Sequence, residues 1–375
     1  MVQIGGKALQ KIPKQFQVSA FLVFYLIHST QFGVGALGYQ RVIAMSAGYD
    51  AWIGIILFGF ITHVVVYMIY KICEKSDGDL SSAHRMAYGK WIGKLFTLFF
   101  VIYFIFTTVT VLRTYIEVIQ VWLFPDLSTW FFSSIFLLLV VYIISGGFRV
   151  ITGIAFLGVV LPSYLFITMI IPLEYANFRN LLPVFDHPVK DILLSGRDMT
   201  LSMLGFETLL IFYPFINKPE QSKKWAHLGI LMTWFIYLFF ALVTFSYFSE
   251  GKLEKNIWAT LSIWKIIELP FVERVEYIGI ANWCLIILPN VCIFLWCSSR
   301  LAKRMTRIRH RTALTVITVL TFILMLQFED RKLINELNTY MGIVGFYMGY
   351  VYIPCLFVII SFVHWRRRKK ENADS

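Results

Sequence analysis

Long runs of apolar residues, separated by short polar segments, dominate the pattern of this chain. Several of the runs exceed the ~20 residues that an α-helix needs to cross the hydrocarbon core of a membrane. We therefore predict an all-α polytopic membrane protein that forms a single integral membrane domain over residues 1–375. The pattern predicts ten transmembrane segments, at residues 15–47, 51–73, 92–123, 130–147, 150–173, 192–217, 225–249, 273–300, 312–328 and 339–365.

The first segment contains an interruption, in the stretch STQFGVGALG at residues 29–38. Gly33, Gly35 and Gly38 lie within six residues there, and each glycine in a helix interior costs about 1 kcal/mol relative to alanine. An opened backbone in hydrocarbon needs other hydrogen-bond partners, so such a break survives only where it is buried in protein or lines a wet cavity. There, the freed N–H and C=O groups can bind a polar solute. Close helix packing on small residues is the alternative explanation.

The sixth segment carries a second interruption, in the stretch at residues 202–207. This stretch contains Gly205 and an acidic residue, Glu207, and Pro214 follows it. The first and sixth segments each open a group of five segments, at about 15–173 and 192–365. Breaks in corresponding segments of two halves are typical of transporters with an inverted repeat, which bind their solute between the broken helices. The spacing of the two breaks therefore predicts a 5+5 architecture.

Composition and charge agree with a membrane protein. The 375 residues are 58% hydrophobic and 15% charged, with a mean hydropathy of +0.70, whereas soluble domains carry about 25% charged residues. Most of the 34 Lys and Arg residues lie in polar segments on one side. The positive-inside rule places that side in the cytoplasm, with both termini and the basic tail at 366–375. The net charge of +12 is then a topology signal and an attraction to anionic lipid, and no nucleic-acid partner is expected.

Ionisable side chains inside the apolar segments are candidates for function, because such groups are expensive in a membrane unless they face protein or water. Glu207 is interpreted either as a proton-titrating site or anchor for unwound backbone, or as a structural carboxyl bonded to nearby N–H groups. Arg113 and Glu117 lie four residues apart on one helical face and are predicted to pair. Asp50 precedes the second segment and is its predicted N-cap.

Three further features lie on the third, eighth and tenth segments. Tyr103 and Thr107 could line a central cavity, although aromatic residues and threonines are also common fillers between helices. Asn290 follows a proline, and this pair predicts a local kink with a polar lining. The GxxxG pattern from Gly345 to Gly349 predicts close packing against another helix.

The segment at residues 250–274 is too short and too polar to span a membrane. Its tryptophans and isoleucines interleave with Lys and Glu, which predicts a short amphipathic helix at the membrane surface. Such a helix could be a lid over the outer entrance of the site or an interfacial anchor. The tryptophans favour the anchor.

One block of sequence, at residues 259–283, resembles a known family. The block, ATLSIWKIIELPFVERVEYIGIANW, is similar to the signature of the spore germination receptor B-subunits, which belong to the amino acid/polyamine/organocation transporter superfamily. Its most specific part is PFVERVEY. The other matching stretches follow in the same order along nearly the whole chain, at residues 12–17, 47–53 (AGYDAWI), 181–196 (LLPVFDHPVKDILLSG) and 205–207 (GFE).

The resemblance implies a leucine-transporter-like fold with broken helices 1 and 6. It also implies a germinant sensor in the spore inner membrane, beside an A-subunit and a lipoprotein C-subunit. The ligand would be a small nutrient, usually an amino acid, held between segments one, three, six and eight. By position, the binding residues carried over are Gly33, Val34, Gly35 and Ala36 in the first break and Leu204, Gly205 and Phe206 in the second.

Two main functions therefore fit the sequence. A nutrient receptor B-subunit would bind a solute at the breaks and signal spore germination through its partner subunits. A proton-coupled amino-acid permease would move the same solute across the membrane, and a channel-like subunit is a third class. The sequence contains no nucleophile, metal-ligand or phosphate-loop motif, so we expect no enzyme activity, metal or cofactor.

Overall fold

The computed structural model describes residues 12–76, 78–267, 274–306 and 308–374, and these residues are mainly helical. The N-terminal arm before residue 12 and the first half of the PFVERVEY block lie outside the described residues. In chain order, the α-helices of the described residues are α1 (Val23–Gln31), α2 (Tyr39–Ala47), α3 (Ala51–Lys75), α4 (Leu80–Trp122), α5 (Thr129–Ser145), α6 (Phe148–Val160), α7 (Tyr164–Thr168), α8 (Val189–Asp198), α9 (Thr200–Met203), α10 (Leu209–Phe212), α11 (Pro219–Tyr247), α12 (Glu250–Glu254), α13 (Ala259–Trp264), α14 (Val275–Thr306), α15 (His310–Met325), α16 (Arg331–Phe346) and α17 (Ile353–Asp374).

The predicted class, a polytopic all-α membrane protein, is confirmed. Among the described residues, six helical stretches are long and apolar enough to cross a membrane: Tyr39–Lys75, Leu80–Trp122, Phe148–Tyr175, Pro219–Tyr247, Val275–Thr306 and Arg331–Asn372. Shorter apolar helices complete the pattern, at Thr129–Ser145, Phe206–Phe215 and His310–Met325.

Both predicted interruptions are present. In the first segment, α1 ends at Gln31, a 3₁₀ turn occupies Val34–Leu37, and α2 begins at Tyr39. In the sixth segment, α9 ends at Met203 and a 3₁₀ turn at Phe206–Thr208 leads into α10. The glycines mark both breaks because they are poor helix formers and tolerate backbone angles that other residues avoid.

Two helices extend beyond the apolar runs that predicted them. The helix of the third predicted segment, α4, begins at Leu80 instead of residue 92. Gly89, with φ +77°, separates its first turns from the rest. Asp79 caps this start, because its carboxylate accepts the Ser82 N–H at 3.1 Å. The helix of the tenth predicted segment begins with α16 at Arg331 instead of residue 339. A π-helical turn at Tyr347–Tyr352 joins α16 to α17. Hydropathy detects only the lipid-embedded part of a helix, so polar extensions were missed.

Asp50 does not cap the second segment. Its carboxylate instead accepts the backbone N–H groups of Phe185 and His187 at 2.9 and 3.0 Å. The carboxylate therefore ties the corner before α3 to the loop that precedes α8. The predicted cap was wrong because a partner distant in sequence supplies better-placed donors than the first turn of α3.

The predicted Arg113–Glu117 pair was also wrong. Arg113 Nε and Nη2 donate to the carbonyls of Phe328 and Glu329 at 2.5 and 3.0 Å. Glu117 instead pairs with Arg331 Nη1 at 2.5 Å. The loop between α15 and α16 supplies the partners of Arg113 and the first residue of α16 supplies that of Glu117, which the spacing along a single helix cannot reveal.

Helix α14 lies at the centre of the bundle. It packs along α4 on one side and α6 on the other, while α1 lies between α11 and α6. Gly158 makes the α6–α14 contact close, since a Cβ built on it would lie 2.5 Å from the Leu285 carbonyl oxygen and 3.0 Å from Pro289 Cγ. Small residues at such crossings let two membrane helices approach each other.

We predict that Gly158→Ala destabilises the protein by about 1–3 kcal/mol, because the added methyl group forces α6 away from the backbone of α14. Gly153→Ala in the same helix is the matched control. A Cβ on Gly153 meets no atom within 4 Å, so this change should be neutral or slightly stabilising. Thermal unfolding of the purified protein in detergent measures both effects, and equal midpoints for the two variants would contradict the close contact.

Candidate functional site

The two helix breaks lie against each other inside the bundle. Gly205 has a left-handed backbone with φ +116°, and a Cβ on it would overlap the carbonyl group of Thr30 in α1. A Cβ on Gly35 would likewise overlap the Ser202 hydroxyl of α9. Glycine is therefore required at both positions for the close approach, and at Gly205 also for the backbone angle.

The carbonyls freed by the first break are hydrogen-bonded to side chains of other helices. Asn290 Nδ2 of α14 donates to the Ser29 carbonyl at 2.8 Å and lies 3.5 Å from that of Phe32. Trp283 Nε1, also of α14, donates to the Gly33 carbonyl at 3.3 Å. The bonds to Ser29 and Phe32 replace helical bonds that the break removes, as a low-dielectric interior requires, while the Gly33 carbonyl also accepts the Ala36 N–H at 3.2 Å.

Tyr237 of α11 joins the two breaks. Its hydroxyl lies 3.2 Å from the Gln31 carbonyl of the first break and 2.9 Å from the Ser202 carbonyl of the second. Gln31 Nε2 in turn donates to the Met203 carbonyl at 2.9 Å. One hydroxyl and one amide therefore couple the ends of α1 and α9.

Glu207 holds the backbone of the second break. Its side chain is fully buried; Oε2 accepts the Gly205 N–H at 2.8 Å and Oε1 accepts the Tyr103 hydroxyl of α4 at 2.8 Å. Among the salt bridges of the described residues, none involves Glu207. Both interpretations of this residue agree with these bonds, because a carboxyl that anchors unwound backbone can also exchange a proton.

Most of the predicted site residues come together at this centre. Gly33, Gly35, Leu204, Gly205 and Asn290 lie at or beside the contact between the breaks. Val34, Ala36, Phe206 and Tyr103 are buried around them.

Thr107 is buried too, but its hydroxyl donates to the Tyr103 carbonyl of its own helix at 2.8 Å. Sequence reasoning missed Tyr237 and Trp283, because a single aromatic residue in an apolar helix carries no local sign that its polar atom faces a break.

Aromatic side chains fill the space between the breaks. Phe32 lies 5.5 Å, ring centre to ring centre, from both Tyr237 and Trp283. The cavity left beside Ser29 has a volume of about 10 Å³, at the lower limit for one water molecule. The two breaks therefore contact each other at the centre and leave no room for a solute between them. We call this the closed arrangement. The lining residues of this small cavity are His28, Ser29, Phe32, Gly158, Val159, Phe166 and Ile286.

Helix α13 covers the first break from one end of the bundle. The Thr260 hydroxyl donates to the Ala36 carbonyl at 2.8 Å and accepts Gln40 Nε2 at 2.8 Å. Trp264 is fully buried and packs edge-on against Trp283 at 5.6 Å. The Trp264 side chain of α13 therefore faces the protein interior and not the membrane surface, and the lid and the interfacial anchor both stay predictions for the segment at residues 250–274.

The opposite ends of the broken helices are joined by backbone hydrogen bonds. Val18 N donates to the Phe215 carbonyl, and Asn217 N donates to the Val18 carbonyl, both at 2.8 Å. This parallel bridge ties the chain before α1 to the chain after α10. The charge pattern predicts that this end is cytoplasmic, so the centre is closed on both sides.

The predicted packing role of the GxxxG pattern is confirmed. A Cβ on Gly345 of α16 would overlap the Leu204 side chain, and one on Gly349 would lie 3.1 Å from Phe206 Cζ. Tyr350, in the adjoining π-helical turn, packs edge-on against Phe206 with ring centres 5.5 Å apart. The second break therefore rests on the small-residue face of α16.

A larger apolar cavity of about 400 Å³ lies between α4 and α16. Tyr103 stands at its wall and connects it to the second break through the bond to Glu207. Glu336 is its charged lining residue. This cavity is open to the surface of the bundle, since Phe99, Ile102 and Tyr340 in its lining are exposed.

Comparison with known proteins gives close relatives over most of the chain. The family model described as spore germination protein matches residues 17–334. The spore germination protein GerQB of Bacillus cereus is 44% identical over 351 residues, which cover 94% of this chain and 98% of that protein.

Two solved structures with a similar arrangement of helices are of transporters. A nucleobase-cation-symport-1 family transporter, MHP1, with bromovinylhydantoin bound, matches with a TM-score of 0.68 and 12% identity over 97% of this chain and 82% of that one. A Na⁺-coupled sialic acid symporter matches with a TM-score of 0.60 and 10% identity over 95% and 79% of the two chains. At such identities the likeness shows the fold alone, and it confirms the predicted leucine-transporter-like architecture.

We predict that Tyr103→Phe destabilises the protein by about 1–3 kcal/mol, because it leaves the buried Glu207 carboxyl without one of its two donors. Tyr142→Phe is the control, since Tyr142 is 79% exposed and should tolerate the change. Thermal midpoints of the two variants provide the measurement. If the thermal midpoint falls no further for Tyr103→Phe than for Tyr142→Phe, the hydrogen bond from Tyr103 to Glu207 contributes nothing to the stability of the closed arrangement.

Proposed function

Because this chain belongs to the spore germination protein family of receptor B-subunits, we propose that it is the membrane subunit of a nutrient germinant receptor. It binds a small solute, such as an amino acid, at the two helix breaks. Its proposed location is the spore inner membrane with both termini in the cytoplasm, beside an A-subunit and a lipoprotein C-subunit.

The observation that carries the proposal is the direct coupling of the breaks. The Tyr237 hydroxyl lies within hydrogen-bond distance of a carbonyl of each break, and Phe32 and Trp283 fill the space beside them. A solute can enter only after these contacts separate. Its binding therefore favours an open arrangement over the closed one, and the equilibrium shifts by the difference in affinity for the two.

The cavity between α4 and α16 reaches the second break at Tyr103. Its lining is apolar, it ends at Tyr103, and the Tyr103–Glu207 bond separates it from the second break. Movement of α16 would transmit opening directly to the second break, because Gly345 and Gly349 pack on Leu204 and Phe206. Partner subunits would then respond to the changed position of the bundle.

We predict that Gly35→Val raises the nutrient concentration for half-maximal germination at least tenfold, or abolishes the response, because the added side chain would occupy the space that opens between Gly35 and Ser202 when the breaks separate. Gly251→Val is the control, since a Cβ on Gly251 meets no atom within 4 Å. The measurement is the germination dose-response of spores that carry each variant at equal protein level. A dose-response curve for Gly35→Val that matches that of Gly251→Val would show that the breaks take no part in ligand recognition.

A proton-coupled permease is the second candidate, and the buried Glu207 at the second break favours it. Purified protein in liposomes, with a proton gradient and radiolabelled amino acids, separates the two functions. Saturable, gradient-driven accumulation that Glu207→Gln abolishes would establish transport. Saturable binding without accumulation supports the receptor.

A further inference from the structure

The carbonyl oxygens freed by the first break have the arrangement that binds a cation in other proteins. In transporters with discontinuous helices, unwound carbonyls and the C-terminal ends of half-helices coordinate the coupling ion. The Ser29 and Phe32 carbonyls lie at such an end, the C-terminus of α1. A solved structure of similar fold is a Na⁺-coupled symporter by its title, so the fit of this chain to a cation can be tested on its own residues.

The residues present do not fit a cation. Asn290 Nδ2 lies 2.8 Å from the Ser29 carbonyl oxygen and 3.5 Å from that of Phe32. Its amide hydrogens therefore point at the lone pairs that an ion would need. A metal ion binds oxygen lone pairs and is repelled by N–H donors, so the amide and an ion exclude each other at this position.

The surroundings leave room for the Asn290 amide nitrogen, while its Oδ1 has no hydrogen-bond partner among the described residues. Asn290 is 1% exposed, and a Cβ on Gly33 would lie 2.9 Å from its Nδ2, so a glycine makes room for it. The neighbouring cavity of about 10 Å³ leaves space for at most one water. A hydrated ion has no room there.

We propose that the Asn290 side-chain amide takes the place of a coupling cation at the broken first helix. It joins the scaffold helix α14 to the end of α1 in the closed arrangement. The protein then needs no Na⁺ for closure, and ligand binding under the proposed function, on which this last point rests, is independent of Na⁺.

Thermal unfolding of the purified full-length protein, without solute or partner subunits, tests the proposal. A specifically bound ion stabilises the folded state in a saturable way. The wild-type midpoint should therefore be the same in NaCl, KCl and choline chloride at equal ionic strength. A midpoint that rises saturably with Na⁺ over choline would overturn the proposal.

Two variants make the test specific to Asn290. Asn290→Asp replaces the donor by carboxylate oxygens beside the two carbonyls, so its midpoint should fall in choline chloride and recover by several degrees, saturably, in NaCl. Asn290→Ala removes the donor and adds no ligand, so its midpoint should fall equally in all salts.

A purely structural role for Asn290 would give no salt-specific recovery of the Asp variant, and that result would also overturn the proposal. If Asn290→Asp does not fold, the wild-type comparison of salts decides alone. The outcome does not depend on germination, because the measurement uses neither nutrient nor spores.

Discussion

The structure depends on hydrogen bonds to backbone groups that two helices leave unpaired inside the membrane. In hydrocarbon each such group needs a partner within the protein. Asn290 and Trp283 of α14, Tyr237 of α11 and Thr260 of α13 supply partners for the first break. The positions of these helices around the centre follow from that requirement, since each one must bring a donor to a particular carbonyl.

The same bonds explain why the centre can respond to a solute. They are made by neutral side chains, whose net contribution is about 0.5–1.5 kcal/mol each, so a solute with its own donors can replace several of them. Helix α13 and the backbone bridge between Val18 and the chain after α10 cover the two ends. Opening at either end must therefore disturb groups that also hydrogen-bond to the breaks. Access of a solute to the site is then coupled to whether the site is occupied.

Local chemistry made part of this site predictable. Glycine weakens a helix, so Gly33, Gly35 and Gly205 made both breaks visible in the sequence. The energetic cost of burying the Glu207 carboxyl beside the second break was visible as well. The partners were not visible, because Tyr237 and Trp283 look like ordinary membrane aromatics. The Arg113–Glu117 pair failed for a related reason: spacing along one helix cannot show that Arg331 lies closer to Glu117.

The sequence by itself determined that the chain spans a membrane, where its helices break and to which family it belongs, since these follow from hydropathy, glycine content and matching residues. Only the tertiary structure decided that the centre is closed, that α13 covers the first break and that Asn290 bonds to the freed carbonyls. Those features depend on contacts between residues more than 200 positions apart, and no local pattern encodes the distance between such residues in space.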